Sequence, residues 1–150
     1  MSTLAVVACG SKKIWDVDKL AGPTPARAAY IGTLFKLSRA YAERFADSWV
    51  ILSAKYGFAE PHSIRLANYN VTFSKKSTNP VQLDTLRAQV REMHLDRFDQ
   101  VIVLGGARYV RMVEESFTSS STAVRAPLKG LGIGQMQSRL KQAVATESPL

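Results

Sequence analysis

Four short segments concentrate side chains able to bind anions, stack on rings or move protons. They are Cys9-Gly10-Ser11-Lys12-Lys13, Ser53-Ala54-Lys55-Tyr56-Gly57, Gly105-Gly106-Ala107-Arg108-Tyr109, and Lys129-Gly130-Leu131-Gly132-Ile133-Gly134-Gln135. The first joins a turn to a hydroxyl and two ammonium groups. Turn N–H groups backed by lysines hold a phosphate or another anionic oxygen. It is not a Walker loop, because the glycine spacing ahead of a Lys-Ser/Thr pair is missing. The bland alternative is a solvated basic turn. Cys9 is either a nucleophile or a buried structural thiol. No His or Asp stands at a known activating spacing, which favours the thiol.

In the second segment Lys55 and Tyr56 lie on the rim of a turn. Tyr56 either stacks on a base or packs on the long helix that reaches Phe45. A further stretch, Asn68-Tyr69-Asn70-Val71-Thr72, carries amides, a hydroxyl and a ring suited to a base edge; ordinary Asx-turn chemistry is the alternative. Gly105-Gly106 opens a helix whose N–H groups, with Arg108, suit an anion. The GxGxG look of Gly130 to Gly134 follows the last strand and lacks the acidic partner of a dinucleotide fingerprint, which excludes NAD binding. Gln135 remains a candidate site residue.

The elements that position these segments follow from hydrophobic periodicity. Leu4 to Ala8 is a continuous apolar run, and Trp49 to Ser53 and Gln100 to Leu104 are nearly so; all three suit buried parallel strands. Ala123 to Ala126 is a weaker fourth. Thr24-Pro25 gives an N-cap and a first-turn proline to a long helix reaching Phe45, with a break allowed at Gly32. Glu60 to Thr78 reads as a long loop of functional type. Asn79-Pro80 starts a helix over 81–94. Another helix carries Tyr109, Met112, Val113 and Phe117 inward, and a last one runs from about Gly134 to 144–146. Strands alternating with helices imply a single α/β domain over 1–150, a three-layer α/β/α sandwich on a four-stranded, mainly parallel sheet. Ligands of such sheets bind beyond the carboxyl ends of the strands, where the four segments converge.

Composition narrows the partners. The 150-residue chain has 20 lysines and arginines against 12 acids, a formal charge of +8. That excess suits polyanions and says nothing about fold. The single cysteine excludes an internal disulfide. With only His62 and His94 beside it, no local spacing suggests a metal site. No apolar run approaches a membrane span and the start lacks signal-peptide character. A metal-free, cofactor-free protein of the cytoplasm, with no membrane partner, is expected.

Together the motifs are specific. Cys9 to Lys13, Tyr30-Ile31-Gly32-Thr33-Leu34-Phe35, Leu52 to Gly57, Tyr69 to Thr72 and Leu128 to Gln135 resemble a family of small bacterial and phage domains of uncharacterised function. That family is similar in turn to the YaaA peroxide-stress proteins, through the Leu-Ser-x-x-Tyr-Gly block, and to the Cys-Ser-x-x-Lys domain of archaeosine-synthase-like proteins. The resemblance implies a uracil-DNA-glycosylase-like fold, with a base flipped into a cleft at the strand ends. It also brings Tyr30 and Ser53 into the binding set. One departure bears on catalysis. Where the family usually has Tyr-Asp, this chain has Tyr69-Asn70, preceded by Asn68 in place of proline.

Three functions compete. In the first, the protein is a DNA glycosylase-like enzyme on the N-glycosidic bond of a base, modified or not, in DNA or a nucleotide. There Asn70 orients water, Tyr56 and Tyr69 stack the base, and Lys12, Lys13 and Lys55 hold phosphates. Protein dipoles and nearby phosphates stabilise the oxocarbenium-like state without a metal. In the second it is a non-catalytic DNA-binding module of YaaA type. In the third it senses a nucleotide or nucleoside, or is a small-molecule enzyme of another kind.

Overall fold

Leu4 and Val6 are fully buried against one group of helices, and Ala5 and Val7 against another. A strand that is apolar at every position has no solvent side and must lie at the centre of a covered sheet. In the computed structural model, which describes residues 1–150, that strand is β1 (Thr3–Ala8). It is followed by β2 (Thr24–Pro25), α1 (Ala26–Ala29), α2 (Thr33–Phe45), β3 (Ser48–Ser53), β4 (Gly57–Ala59) and β5 (Arg65–Leu66). The chain continues with α3 (Leu83–Glu92), β6 (Gln100–Leu104), α4 (Ala107–Ser116), β7 (Ala123–Arg125) and α5 (Ile133–Thr146). No helix is long and apolar enough to cross a membrane.

The main sheet has five strands in the order β4-β3-β1-β6-β7. Strands β3, β1, β6 and β7 are parallel, with Val6 opposite Val50 on one side and Val103 on the other. α2 and α5 cover one face through Phe35, Tyr41, Leu140 and Ala143; α3 and α4 cover the other through Leu86, Val90, Val110 and Val113. The three-layer expectation holds.

The expected four-stranded sheet is corrected to a five-stranded mixed one. β4 pairs antiparallel with β3, Ser53 opposite Gly57. A tight turn ending at Gly57, φ +70°, reverses the chain there. A three-residue strand is too short to show a period of two.

The expected long helix from Thr24 is also corrected. Thr24-Pro25 pairs antiparallel with Leu66-Arg65 as a separate two-stranded ribbon. The helix breaks at Tyr30–Gly32 and α2 starts from Gly32 in extended conformation. The Ile31 N–H donates to the Lys12 carbonyl at 3.0 Å, so the break is where the chain is tied to the first loop. Likewise α3 starts at Leu83, two residues later than expected. The Val81 N–H is committed to the Ala54 carbonyl at 2.7 Å, and Asn79 takes φ +59°.

Candidate functional site

β1 and β3 stop side by side, and their last side chains set the floor of a cavity. The Cys9 N–H extends the ladder by one bond to the Leu52 carbonyl. Gly10 then turns the chain with φ +73°, a conformation glycine adopts without strain. Ser11 and Lys13 follow on the rim. The cavity of about 290 Å³ is closed by Ala54 after β3, by Tyr69 to Phe73 of the long connection, and by Tyr109 in the first turn of α4.

Beneath it lies a chain of buried hydroxyls. The Tyr30 and Tyr69 hydroxyls are 2.5 Å apart, and the Ser53 hydroxyl is 3.0 Å from that of Tyr69. Ser53 Oγ also accepts the N–H groups of Lys55 and Tyr56 at 3.2 Å each, so one serine fixes both the turn and the ring. The turn has a second anchor in Gln89 of α3. Its Oε1 accepts the Phe58 N–H at 2.8 Å and its Nε2 donates to the Tyr56 carbonyl at 3.0 Å.

Two ammonium groups converge on the Tyr69 ring. Lys13 Nζ is 4.5 Å and Lys55 Nζ 5.9 Å from its centroid, and Tyr56 meets the same ring edge-on at 5.4 Å. The two ion pairs in the molecule, Arg27 with Glu43 and Arg44 with Glu147, leave both lysines without a carboxylate partner. Lys13 Nζ donates to the Ser11 carbonyl at 3.4 Å, and neither ammonium charge is neutralised within the protein.

Cys9, 5% exposed, has its sulfur 3.6 Å from the Tyr109 hydroxyl. Burial pushes its thiol up, outweighing the downward pull of the Tyr109 and Ala54 hydrogen bonds and of Lys13. The structural-thiol alternative therefore fits better than the nucleophile. Burial likewise pushes the Tyr69 phenol up to about 12, and raises those of Tyr30 and Tyr109 further. All four groups stay protonated at neutral pH. The cavity lining contains no Asp, Glu or His. Its free polar side chains are the Asn70 amide, for which no side-chain hydrogen bond exists within the protein, and the Ser11 hydroxyl.

The structure brings together Cys9, Gly10, Ser11, Lys13, Tyr69 and Asn70 in the cavity wall. Tyr30 and Ser53 support Tyr69 from below, while Lys55 and Tyr56 flank it. Gly57 serves the turn and not the cavity: a Cβ there would lie 2.2 Å from Gln89 Oε1. Gly105 allows close packing, since a Cβ would come 2.8 Å from that of Ala8. Gly106 and Arg108 line an adjoining depression.

Three expected site residues are placed elsewhere. The exposed Lys12 lends its carbonyl to Ile31 and does not line the cavity. Lys129 is exposed on the turn before α5. Gln135 accepts the Gly132 N–H at 3.3 Å as part of the α5 cap, and lines a separate groove with Arg139 and Gln142. Conversely, Phe73 and Tyr109, edge-to-face at 5.8 Å, are wall residues that sequence reasoning left out of the site. Tyr109 was discoverable from its place in the Gly105 to Tyr109 segment. Phe73 gives no such signal.

No solved structure matches the chain. It is 37% identical over 151 residues to the uncharacterized protein YfjM of Bacillus subtilis (strain 168), covering 100% of both chains. Residues 4–142 match a family of unknown function, DUF6884, with every segment that forms the cavity inside the match. The chain therefore belongs to the DUF6884 family.

Proposed function

We propose that the cavity binds a nucleotide unit and cleaves its N-glycosidic bond. The observation that carries the reading is the convergence of unpaired Lys13 and Lys55 on the Tyr69 ring beside the free amide of Asn70. A phosphate takes the ammonium groups and the N–H groups of the Gly10 turn. The base lies among Tyr69, Phe73 and Tyr109, where ring stacking is sequence-tolerant. Asn70 orients a water toward the sugar C1′. The C1′–N bond breaks with its electron pair going to the base; the water oxygen bonds to C1′, and the proton it sheds goes to the base. The phosphate and protein dipoles stabilise the oxocarbenium-like state. A volume of about 290 Å³ is near the lower end of small-molecule sites. The α/β/α layering is compatible with the uracil-DNA-glycosylase-like fold that the resemblance implies, and the YaaA likeness belongs to the same reading.

A second reading is favoured by one observation, the absence of any carboxylate from the cavity wall. In it the same surface binds nucleic acid without turning it over.

Incubating the protein with unmodified and base-modified DNAs and with free nucleotides, then searching for released base by mass spectrometry, separates the two. Released base that disappears in Asn70→Ala supports the enzyme. Salt-sensitive binding with no released base from any of them supports the binding module.

A further inference from the structure

A second depression of about 320 Å³ adjoins the cavity, and the two share Thr72, Phe73 and Tyr109. The edge-to-face pair Phe73–Tyr109 is therefore a ridge with a recess on either side. Beyond it the second recess is bounded by Ser74, Gly106 and Arg108. Arg108 has no hydrogen-bonded or ion-paired partner in the protein, and a Cβ added at Gly106 would meet nothing within 4 Å. A single nucleotide fills one recess and leaves the other, with its guanidinium, unused.

Charge is distributed along the same line. The loops at this end of the sheet, residues 9–23, 53–57, 67–82, 105–109 and 126–132, carry Lys12, Lys13, Lys19, Lys55, Lys75, Lys76, Arg108 and Lys129 against only Asp16 and Asp18. Of the chain's 20 lysines and arginines and 12 acids, 12 and 10 remain elsewhere and nearly cancel, so this face holds most of the +8 excess. Cations spread over five loops exceed what one phosphate can neutralise; they suit a run of phosphates.

We infer that the ligand is a single-stranded polynucleotide, with one nucleotide in the main cavity and its neighbour in the Arg108 recess across the Phe73–Tyr109 ridge. The inference rests on the proposed nucleotide site. Recessed aromatic walls need unstacked bases, which a strand offers and an intact duplex does not. Arg108 holds the neighbour's phosphate and the ridge stands between the two bases, while Lys75 and Lys76 extend the charged track.

The test is equilibrium binding of a labelled 5′-mononucleotide, an eight-nucleotide single strand of DNA or RNA, and the matching DNA duplex, over a range of salt. The expected result is at least tenfold tighter binding of either single strand than of the mononucleotide or the duplex. In Arg108→Ala the advantage of the strand over the mononucleotide shrinks, and the magnitude of the slope of log K against log salt falls by about 0.7, the value for one phosphate contact on a single strand. Phe73→Ala reduces the same advantage, whereas Lys141→Ala, on α5 away from the cleft, leaves it intact. Equal affinity for mononucleotide and strand, sensitive to Lys13→Ala but not to Arg108→Ala, overturns the inference and leaves the nucleotide site standing. Tighter binding of the duplex overturns it as well. Failure of every probe to bind overturns both.

Discussion

The Tyr30 hydroxyl, on a residue 1% exposed, lies 2.5 Å from the Tyr69 hydroxyl. Tyr69 comes from a loop thirty-nine residues downstream, and its hydroxyl also meets Ser53 at 3.0 Å. The bond thus pins the long connection to the sheet end and holds the wall of the cavity. Removing one partner of a buried hydrogen bond strands the other, at about 1–3 kcal/mol. Tyr69→Phe and Tyr30→Phe should each lower the unfolding free energy in urea by roughly that amount. The double variant should lose clearly less than the two losses added together, because a bond can be broken only once. Additivity would mean that the two hydroxyls are not coupled.

Gly10 and Gly57 adopt nearly the same backbone, φ +73° and +70°, in different surroundings. A Cβ at Gly10 meets nothing within 4 Å, whereas one at Gly57 runs into Gln89 Oε1 at 2.2 Å. Gly10→Ala should therefore lower stability by about 1–2 kcal/mol, the penalty of a left-handed residue alone. Gly57→Ala should lose at least about 1 kcal/mol more, since Gln89 must give up its bonds to Phe58 and Tyr56. Placing Gly57→Ala in a Gln89→Ala background removes the clash and should bring its further effect close to that of Gly10→Ala. Denaturant midpoints of the four variants decide it.

Alkaline pH should weaken the fold at this site first. Burial raises the ionisation of Cys9, Tyr30, Tyr69 and Tyr109 above that of the free groups, with Tyr69 reaching about 12. In the unfolded chain the thiol ionises near 8.5 and the phenols near 10. Above those values the unfolded state has shed protons that the native state keeps, so stability is full below about pH 8.5 and falls as pH rises. Each group adds a slope of up to about 1.4 kcal/mol per pH unit between its unfolded and folded ionisation. The decline should begin gently with Cys9 and steepen past about pH 10. Cys9→Ser removes the early part and Tyr109→Phe part of the late one. For the same reason alkylation of Cys9 at pH 7.5 should be far slower than that of a free cysteine.

The parallel core was legible because a doubly buried strand must be apolar throughout, as Leu4 to Val7 and Val101 to Leu104 are. The convergence of Cys9, Lys13 and Lys55 followed from the rule that places ligands beyond parallel strand ends; Tyr69, in the long connection, lay outside that rule. What the sequence hid depends on partners remote in the chain. Thr24-Pro25 looks like a helix start until Arg65-Leu66 pairs with it. Gly57 looks like an ordinary turn glycine until Gln89 fills the space above it. Gln135 is the exception, a local one: it looks free for a ligand until the Gly132 amide three residues before it claims its oxygen as a helix cap. Phe73 became a wall residue only through its contact with Tyr109.

Replacing Asn70 by aspartate separates the enzyme from the binding module. The Asn70 amide can orient a water but cannot take its proton, and no carboxylate lines the cavity. If the chemistry is cleavage of a glycosidic bond, Asn70→Asp supplies a general base where the resembling family usually carries one. General-base help is worth about 100-fold or more, so base release should rise by that order, with the rate increasing as the new carboxylate ionises on the acid side of neutrality. Lys13 on the same wall favours the ionised form, which keeps that midpoint low. If the surface only binds, the new negative charge beside Lys13 weakens affinity for any phosphate-bearing ligand and produces no base. Base release measured by mass spectrometry rises in the first case and stays absent in the second, so a single variant decides between them.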